Sequence, residues 1–580
     1  MLPTPNLLKV RLSRPDGARL RRCGRPAAVG GASQDGQVLF IELAKASAAV
    51  AATRSRLTKR ALIAAAIRTV GPGTRVPADG VVDQADADPT PGDTAADPPE
   101  IALVVTYLSG SLRQRRTGVG WASLTSIPAP AAEPTLTVRQ VDEAFEEIAA
   151  IGGQGSAVLR SAAVEALFGR ATEPEQRLLR GLVFDEIRQG ALDALVQDGL
   201  AEAFGVPAKA VQRAAMLLGS TASAAVVLAE SGLAGLEEVG LAVGVPVRPM
   251  LAASAPDPTA AIGKTGLPAV VDNKLDGIRV QVHRNGDAIS IYTRSLDDIT
   301  GRLPEIVASV AALPQQQLVL DGEVLGIGAD GRPLTFQVSA SRTMTRLDKP
   351  DSAAGERIPL SLFCFDLLHV DGRDLLDEPL NERIDVMAAQ LPAELLVRRR
   401  IVETFDEVNE VFATAVSDGF EGVVVKKLSA PYAAGRRDSG WVKLKPRHTF
   451  DLAVIAAEWG YGRREGWLSN LHLAARDPQT GKLVMLGKTF KGLTDEVLTW
   501  QTEQFQARES RRTKGAVYID PPFVAEIAFD GVQASTRYPG GVALRFARVL
   551  GYRPDKTVDE VDTIDSIVAL GAPGGIEPES

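Results

Sequence analysis

The spacing of apolar and polar positions changes along the chain and predicts two kinds of structure. Between about residues 38 and 245, apolar side chains recur every three or four positions in segments rich in Ala, Leu, Glu and Arg. That spacing and those residue types are typical of amphipathic helices. The first part of the chain is therefore predicted to be helical, with its clearest helices at Phe40–Val50, Thr137–Ile151, Ser156–Phe168, Pro174–Ile187 and Val211–Leu218.

From about residue 247 the pattern shortens to strand-length runs separated by Gly, Asp and Pro, with a few helices between them. This mixed α+β region extends to about residue 447, where Pro446–Thr449 has the composition of a linker. Beyond it, apolar and polar residues alternate in five short segments, a pattern that favours a small barrel of strands. The segments are Asp451–Glu458, Leu468–Ala475, Lys482–Phe490, Phe523–Phe529 and Leu544–Leu550.

Three stretches lack this periodicity and are predicted to be disordered. Residues 1–36 are rich in Arg, Pro and Gly and form an extension, with a targeting or DNA-binding arm as the alternative. Residues 77–100 are rich in Asp and Pro and form an acidic insert. Residues 570–580 form a tail. The ordered regions are then 37–246, 247–447 and 448–569, which agrees with the three or four domains expected of 580 residues.

Composition excludes several classes of protein. A hydrophobic content of 45% is ordinary for a soluble globular protein, and no run of about 18 uncharged apolar residues predicts a membrane span. The two cysteines, Cys23 and Cys364, cannot build a disulfide framework or a zinc site, and the four histidines show no metal-ligand spacing. This cysteine usage favours a reducing cytoplasm.

The net charge of −8 argues against a nucleic-acid partner only until its distribution is considered. Residues 77–100 contain seven acidic residues and no basic one, so the remainder is close to neutral. Local basic groups then matter more than the total. Arg113–Arg116, Arg188 and Arg213 could follow a phosphate backbone, although a solvated face is the alternative.

Two apparent phosphate-binding motifs are better explained as ordinary backbone structure. Gly326–Gly331 matches Gly-x-Gly-x-x-Gly, but Pro333 follows it and no helix begins there, so it predicts a hairpin turn. Gly481–Thr489 resembles a P-loop, but its glycines are one residue too far apart and its interior alternates like a strand.

Lys274 lies in Val271-Asp-Asn-Lys-Leu-Asp-Gly-Ile-Arg279, between two apolar runs that predict strands. It is therefore expected at a strand end or turn. A single Lys-x-Asp-Gly is most often a surface lysine beside a turn. Downstream, however, charged and aromatic residues recur at predicted strand ends in a fixed order. They are Arg279, Arg294, Glu323, Phe365, Glu421, Lys426, Arg437, Lys443, Lys445, Arg545, Arg548 and Lys556.

These segments resemble, in order and spacing, the six motifs of the nucleotidyltransferase superfamily of ATP-dependent DNA ligases and mRNA-capping enzymes. Outside them, Ile187–Gly190 resembles the helical DNA-binding domain of polynucleotide ligases, and Gly487–Gly492 resembles their OB domain. The resemblance covers about residues 40–569 and is closest to actinobacterial-type and archaeal ligases. It implies a helical DNA-binding domain (37–246), an α+β adenylation domain (247–447) and a β-barrel OB-fold domain (448–569).

The resemblance also implies the chemistry. Lys274 would attack ATP to give lysyl-AMP, AMP would pass to the 5′-phosphate of a nick, and the 3′-hydroxyl would displace it. The nucleophile must lose its proton, although a lysine pKa is ordinarily about 10.4, and cations at Lys426, Lys443, Lys445 and Arg279 are expected to lower it. Glu323 and Glu421 would bind Mg²⁺ or the ribose hydroxyls. The implied ATP contacts are Asp272, Arg279, Arg294, Glu323, Phe365, Lys426, Arg437, Lys443, Lys445, Arg545, Arg548 and Lys556.

One departure from the family pattern concerns Asp272, because many relatives carry glutamate at this place. Its part in ATP binding accordingly ranks lowest among the implied contacts.

The sequence also leaves alternative functions open. The resemblance implies a cytoplasmic, nucleoid-associated monomer that acts on nicked duplex DNA in replication, repair or recombination, without a membrane. An RNA ligase or capping guanylyltransferase is the first alternative, although these seldom carry some 200 helical residues in front. A catalytically idle nick-binding protein is the second. NAD⁺-dependent ligases are disfavoured because the chain lacks their four-cysteine zinc module.

Overall fold

The structure is a computed structural model and describes residues 37–70, 98–114, 116–124, 127–184, 186–187, 192–334, 336, 338–340, 359–433, 437–513 and 515–571. The described residues form two units. The first contains those up to Ala215 together with Ser220–Glu238, and the second contains Met216–Gly219 and those from Val239 onward. The predicted extension 1–36 and most of the predicted acidic insert and tail lie outside the described residues.

The first unit is helical, as the sequence predicts. Its helices are α1 (Phe40–Ala52), α2 (Arg56–Ile67), α3 (Glu100–Leu108), α4 (Val138–Ala150), α5 (Ser156–Arg170), α6 (Glu173–Val183), α7 (Leu192–Phe204), α8 (Ala208–Leu217, whose last two residues belong to the second unit) and α9 (Thr221–Glu238). Capping boxes begin α4 at Thr137 and α6 at Thr172, which satisfies backbone N–H groups of each first turn.

No single helix in the described part of the chain is long and apolar enough to cross a membrane. Within the described residues, α8 and α9 together have the length and apolar composition of a membrane span, but the pair is bent by 120°.

The predicted acidic insert ends earlier than expected. Glu100, its last residue, is the first residue of α3 and is buried. Its Oε1 accepts a hydrogen bond of 2.8 Å from the backbone N–H of Val38. The prediction was wrong here because a charged residue beside two prolines gives no local sign of a tertiary partner 62 residues away.

The first residue of the predicted basic group Arg113–Arg116 is exposed but is compensated by carboxylates. Arg113 pairs with Asp142 at 2.9 Å and with Glu146 at 2.7 Å, and Gln114 beside it is buried and donates to the Asp142 carboxylate. These two carboxylates lie on α4, so Arg113 serves helix packing and its charge is already compensated. Arg188 lies outside the described residues, and Arg213 is exposed.

The second unit contains two five-stranded sheets before residue 447. Their strands are β1 (Leu251–Ser254), β2 (Ala269–Lys274), β3 (Ile278–Asn285), β4 (Ala288–Thr293), β5 (Gln317–Gly326), β6 (Leu360–Val370), β7 (Arg373–Asp374), β8 (Arg399–Val402), β9 (Gly422–Lys427) and β10 (Arg437–Leu444). One sheet has the order β1-β10-β9-β2-β8, and the other has the order β4-β3-β5-β6-β7. The helices that pack on them are α10 (Pro258–Thr265), α11 (Pro304–Ala311), α12 (Leu380–Gln390) and α13 (Phe405–Ser417).

A third sheet follows, whose strands have the order β13-β12-β11-β15-β14, with β18 also paired to β15. Strands β16 and β17 pair separately. The elements are β11 (His448–Trp459), β12 (Leu468–Arg476), β13 (Leu483–Thr489), α14 (Asp495–Ala507), β14 (Glu509–Arg512), β15 (Ala516–Phe529), β16 (Gly531–Ala534), β17 (Val542–Arg545), β18 (Arg548–Tyr552) and α15 (Ile564–Val568).

Most of the predicted strands in this region are confirmed, including the one that resembles a P-loop. The predicted strand Leu544–Leu550 is instead two strands, because Phe546 has a φ of 56° and breaks it. A positive φ at a bulky side chain is rare and gives no sequence signal. The predicted linker Pro446–Thr449 is shorter than expected, since β11 begins at His448.

A fully buried ion pair connects β6 to α12. Arg383 Nε and Nη2 donate to the two carboxylate oxygens of Asp366 at 2.7 and 2.9 Å, and both side chains have no exposed surface. Arg383 Nη1 also donates to the carbonyl oxygens of Glu378 and Ala430. Burial alone would raise the pKa of Asp366, but Arg383 holds that pKa below its usual value.

Replacing Arg383 by leucine should lower the free energy of unfolding by about 3–5 kcal/mol, because the Asp366 charge would remain buried without a partner. Urea denaturation of the full chain measures this. The matched control is Arg373→Leu, whose partner Glu382 lies 3.8 Å away at the surface, and we expect a loss below about 1 kcal/mol. Since Asp366 has a lowered pKa, the stabilisation should be complete above about pH 4 and lost as pH falls further. Equal losses in both variants would contradict this account.

Candidate active site

The Lys-Leu-Asp-Gly segment is the connection between the two five-stranded sheets. Lys274 is the last residue of β2, and β3 begins at Ile278 in the other sheet. This confirms the prediction that Lys274 lies at a strand end. Gly277 is required by close packing, because a Cβ there would lie 2.6 Å from the carbonyl oxygen of Val324 and 3.0 Å from Glu323 Cγ.

Glu421 holds the side chains of two lysines. Its Oε2 lies 2.5 Å from Lys274 Nζ, and its Oε1 accepts a hydrogen bond from Lys445 Nζ. The backbone N–H of Glu421 also donates to the carbonyl oxygen of Lys274 at 3.1 Å. The next residue, Gly422, has a φ of 138°, and a Cβ there would lie 2.2 Å from the Leu444 carbonyl oxygen. A glycine is therefore needed for the backbone beside Glu421 to pack this closely against Leu444.

Lys426 forms a second, more deeply buried charge centre. Its Nζ lies 2.6 Å from Asp272 Oδ2 and donates to the carbonyl oxygen of Phe365 at 3.2 Å. The ammonium group is 4.2 Å from the centre of the Trp441 ring and 4.9 Å from that of Phe365. Burial lowers the pKa of Lys426, and the Arg399 cation lowers it further against the opposing effect of Asp272.

Arg279 is fixed by the sheet that carries it. Its Nε and Nη2 donate to Asp321 at 3.0 and 2.7 Å, and its Nη1 donates to the Met250 carbonyl oxygen at 2.6 Å. Burial alone would lower the pKa of Arg279, but Asp321 raises it above its ordinary value. Tyr432 donates its hydroxyl to the same carboxylate at 2.5 Å, so Arg279 has little freedom to move.

Glu323 lies directly opposite Arg279 in the pairing of β3 with β5. Burial raises the pKa of Glu323 to about 7, although Lys274 and Arg279 act in the opposite direction. Because burial destabilises the ionised form of this carboxyl group, a cation bound beside it would stabilise that form. The position therefore favours a cationic ligand.

The strand β10 presents alternate residues to the site. Trp441 and Lys443 are separated by two positions and therefore lie on one face of the strand, and Lys445 directly follows its last residue, Leu444. Arg437 is the first residue of β10, but its side chain is not among those the structure describes.

The C-terminal strands contribute Arg545 and Phe546. Arg545 Nη1 and Nη2 donate to the two carboxylate oxygens of Asp276 at 2.7 and 3.3 Å. Phe546, which is more than half exposed, lies 5.7 Å from Lys445 Nζ. Arg548 and Lys556, expected with Arg545, lie elsewhere, and Lys556 pairs with Asp451. Of Arg545, Arg548 and Lys556, Arg545 is therefore the one that reaches the site in this conformation.

These groups line one cavity of about 650 Å³. It brings together eleven of the fourteen residues singled out from the sequence: Asp272, Lys274, Arg279, Arg294, Glu323, Phe365, Glu421, Lys426, Lys443, Lys445 and Arg545. Residues that the sequence reasoning gave no role also line it, among them Asp276, Trp441 and Phe546. The alternation of β10 could have identified Trp441, which lies two residues before Lys443.

The cavity has an excess of positive charge. Its lining contains seven cationic side chains and four carboxylates, the latter being Asp272, Asp276, Glu323 and Glu421. Such a lining suits a polyanion such as a nucleoside triphosphate. The expected effect of the neighbouring cations on Lys274 stays a prediction. Arg279, Lys426 and Lys445 each have a carboxylate partner.

A divalent metal would find an incomplete set of ligands here. Among the described residues, no group of three or more His, Cys, Asp or Glu side chains lies close enough to hold a metal ion. The cavity offers the carboxylates of Glu323 and Glu421. Mg²⁺ commonly takes one or two carboxylates and completes its shell with phosphate oxygens and water, so this donor set fits a metal that arrives with a nucleotide.

Two family models match this chain. The one described as "ATP dependent DNA ligase domain" matches residues 249–445, and "ATP dependent DNA ligase C terminal region" matches residues 464–556. Together they include every residue of the cavity lining that carries a charge.

Curated relatives match almost the whole chain. A "Probable DNA ligase" of Nocardioides sp. is 54% identical over 534 residues, which are 92% of this chain and 99% of the relative. A "Probable DNA ligase" of Beutenbergia cavernae is 54% identical over 543 residues, again 92% and 99%. Among solved structures, one named "Pmar-Lig_PreS3" matches 88% of this chain and 99% of its own, with a TM-score of 0.56 at 18% identity.

Gly277→Ala tests the packing at the crossing between the sheets. The added methyl group would have to displace the backbone of β5, so we expect the free energy of unfolding to fall by about 1–3 kcal/mol. The matched control is Gly301→Ala, where a Cβ meets no atom within 4 Å and the change should stay within about 0.5 kcal/mol. Equal stability of the two variants in urea denaturation would show that the crossing is not tightly packed.

Proposed function

Because this chain belongs to the ATP-dependent DNA ligases, we propose that its cavity binds ATP and that Lys274 is the residue that becomes adenylylated. The observation that carries this proposal is the position of Lys274. It lies at a strand end on the wall of a positively charged cavity, with its amino group among carboxylates and cations that can exchange partners. The wider activity is the sealing of nicks between a 3′-hydroxyl and a 5′-phosphate.

The first step forms a phosphorus–nitrogen bond. Lys274 Nζ attacks the α-phosphorus of ATP, the bond to the bridging oxygen breaks, and pyrophosphate leaves with the electron pair. AMP is then transferred from Lys274 to the 5′-phosphate of the nick. The 3′-hydroxyl finally attacks that phosphate and releases AMP, which closes the backbone.

Lys274 must give up a proton to the solvent and leave Glu421 before it can react, since an ammonium ion has no free electron pair. Glu421 already shares its carboxylate with Lys445, so it retains a cationic partner when Lys274 departs. This lowers the cost of releasing the nucleophile. Once the phosphates enter, Lys443, Lys445 and Arg545 are placed to compensate their charge.

The aromatic side of the cavity suits the adenine base. Phe365 and Trp441 meet edge to face with ring centres 5.7 Å apart, and both line the cavity. Phe365 offers a flat face for stacking, as its place in the sequence implied. Arg279 and Arg294 lie on the same lining and would contact the sugar or the phosphates.

Glu323 and Glu421 are the residues that would hold Mg²⁺. When bound, the metal would neutralise phosphate charge and polarise the phosphoryl oxygens. The raised pKa of the Glu323 carboxyl supports this assignment, because a cation beside it would compensate its burial.

We also assign domains on this basis. Residues 37–246 would bind DNA, 247–447 would carry out adenylylation, and 448–569 would form an OB-fold barrel. The helical first unit and the third sheet are consistent with these roles. The substrate would be nicked duplex DNA, and the protein would act as a monomer at the bacterial nucleoid. An RNA ligase, a capping enzyme and an idle nick-binding protein are not favoured, because the relatives that match nearly the whole chain are named DNA ligases.

Lys274→Ala should abolish covalent labelling of the protein by α-labelled ATP, because alanine supplies no nucleophile. The matched control is Lys427→Ala, an exposed lysine beside Lys426 that should label normally. Wild-type protein should retain the label from ATP and not from GTP. A stable covalent label on Lys274→Ala would place the nucleophile elsewhere.

Arg545→Ala should slow the formation of lysyl-AMP roughly ten- to a hundredfold, because the cavity loses a cation beside the leaving pyrophosphate. Arg548→Ala is the control, since Arg548 does not line the cavity. Substitution is a better test than truncation before residue 545, because truncation would remove the buried Ala547 and Val549 from the core of the C-terminal sheet. Equal defects in the two variants would contradict a direct role for Arg545.

A further inference from the structure

Arg399 differs from the two arginines beside it in the direction of its side chain. It lies on β8 directly opposite Asp272 on β2 and points toward the site. Arg398 pairs with the exposed Asp418, and Arg400 pairs with Glu407 and Glu410 at the surface. Of these three arginines, Arg399 is therefore the one that lies behind the cavity wall.

Arg399 and Lys426 share the same two acceptors. Arg399 Nε lies 3.1 Å from Asp272 Oδ1, and its Nη2 donates to Asp272 Oδ2 at 3.1 Å and to the Phe365 carbonyl oxygen at 3.0 Å. Lys426 Nζ lies 2.6 Å from the same Oδ2 and donates to the same carbonyl oxygen at 3.2 Å. Both Asp272 oxygens therefore lie against cations.

The charges of this group do not cancel. The buried Lys426 and the partly buried Arg399 face one carboxylate, and the next carboxylate, Asp366, has both oxygens hydrogen-bonded to Arg383. One positive charge is left over. Lys426 lines the cavity and Arg399 does not, so Lys426 is the cation whose uncompensated charge faces the cavity. Without Arg399, Asp272 would neutralise Lys426 alone.

We propose that Arg399 is a positioning residue of this ligase, which engages Asp272 and the Phe365 carbonyl so that the Lys426 ammonium stays available to the phosphates of bound ATP. Asp272 then acts as the counter-ion that Arg399 and Lys426 share. This inference rests on the proposed function, in which the cavity binds ATP and Lys274 is the nucleophile.

The kinetics of lysyl-AMP formation in the full chain with Mg²⁺ test this proposal. Arg399→Met should raise the ATP concentration for half-maximal rate about tenfold, while the maximal rate changes less than about threefold. Arg399→Lys, which keeps the charge, should restore the ATP dependence to within about threefold of wild type. Arg400→Met is the matched control and should behave as wild type. A purely structural defect would not separate ATP dependence from maximal rate, nor be corrected by lysine.

A double substitution tests whether Arg399 acts through Asp272. In an Asp272→Asn background the carboxylate that Arg399 engages is absent, so adding Arg399→Met should change the ATP dependence by less than about twofold. If the tenfold effect persists in that background, Arg399 acts by another route and the proposal fails.

The remaining outcomes are also decisive. Arg399→Met with unchanged ATP dependence, or with a loss in maximal rate alone, would overturn the proposal. If Arg399→Met does not fold, Arg399→Gln takes its place, because glutamine keeps hydrogen-bond donors without the charge, and the same tenfold criterion applies. Wild-type protein that takes no label from ATP would instead overturn the proposed function, which keeps the two failures distinct.

Discussion

The site depends on the pairing of partly or fully buried cations with carboxylates that reach them from neighbouring strands. Lys426 is held by Asp272, Arg279 by Asp321, and Lys274 together with Lys445 by Glu421. An isolated buried charge costs several kcal/mol, so each cation requires such a partner if the sheets are to fold around a cavity lined with charge. The pairs also join neighbouring strands and thereby fix the positions of the strand ends that line the cavity.

The same pairing prepares the cavity for its substrate. Glu421 serves two lysines, of which Lys445 also lies 3.7 Å from Asp530, while Asp272 serves Lys426 and Arg399, so positive charge exceeds negative charge around Asp272. The phosphates of ATP would supply the missing negative charge without requiring the cations to be newly buried. Preorganised charge of this kind reduces the reorganisation needed when the transition state forms. The Arg545–Asp276 contact adds a cation from the C-terminal strands to the same wall.

The sequence identified the parts of the site that are local. Lys274, Glu421, Lys443 and Lys445 lie at or beside strand ends, which turn residues and apolar runs mark along the chain, and the resemblance to the ligase family implied their roles. Partners from distant strands were not predictable, because nothing near Arg399 or Asp321 indicates which side chain will face it across a sheet. For the same reason Arg113 was expected to bind phosphate, whereas two carboxylates of α4 compensate it. Phe546 was missed because its left-handed backbone has no sequence signal.

We propose that Lys274 carries AMP during the reaction. Peptide mapping by tandem mass spectrometry of wild-type protein incubated with ATP and Mg²⁺ tests it most directly. We expect a single modified residue, Lys274, bearing AMP through a phosphoamide bond that is labile to acid and stable to alkali. AMP on another residue, or a linkage with the opposite lability, would contradict it.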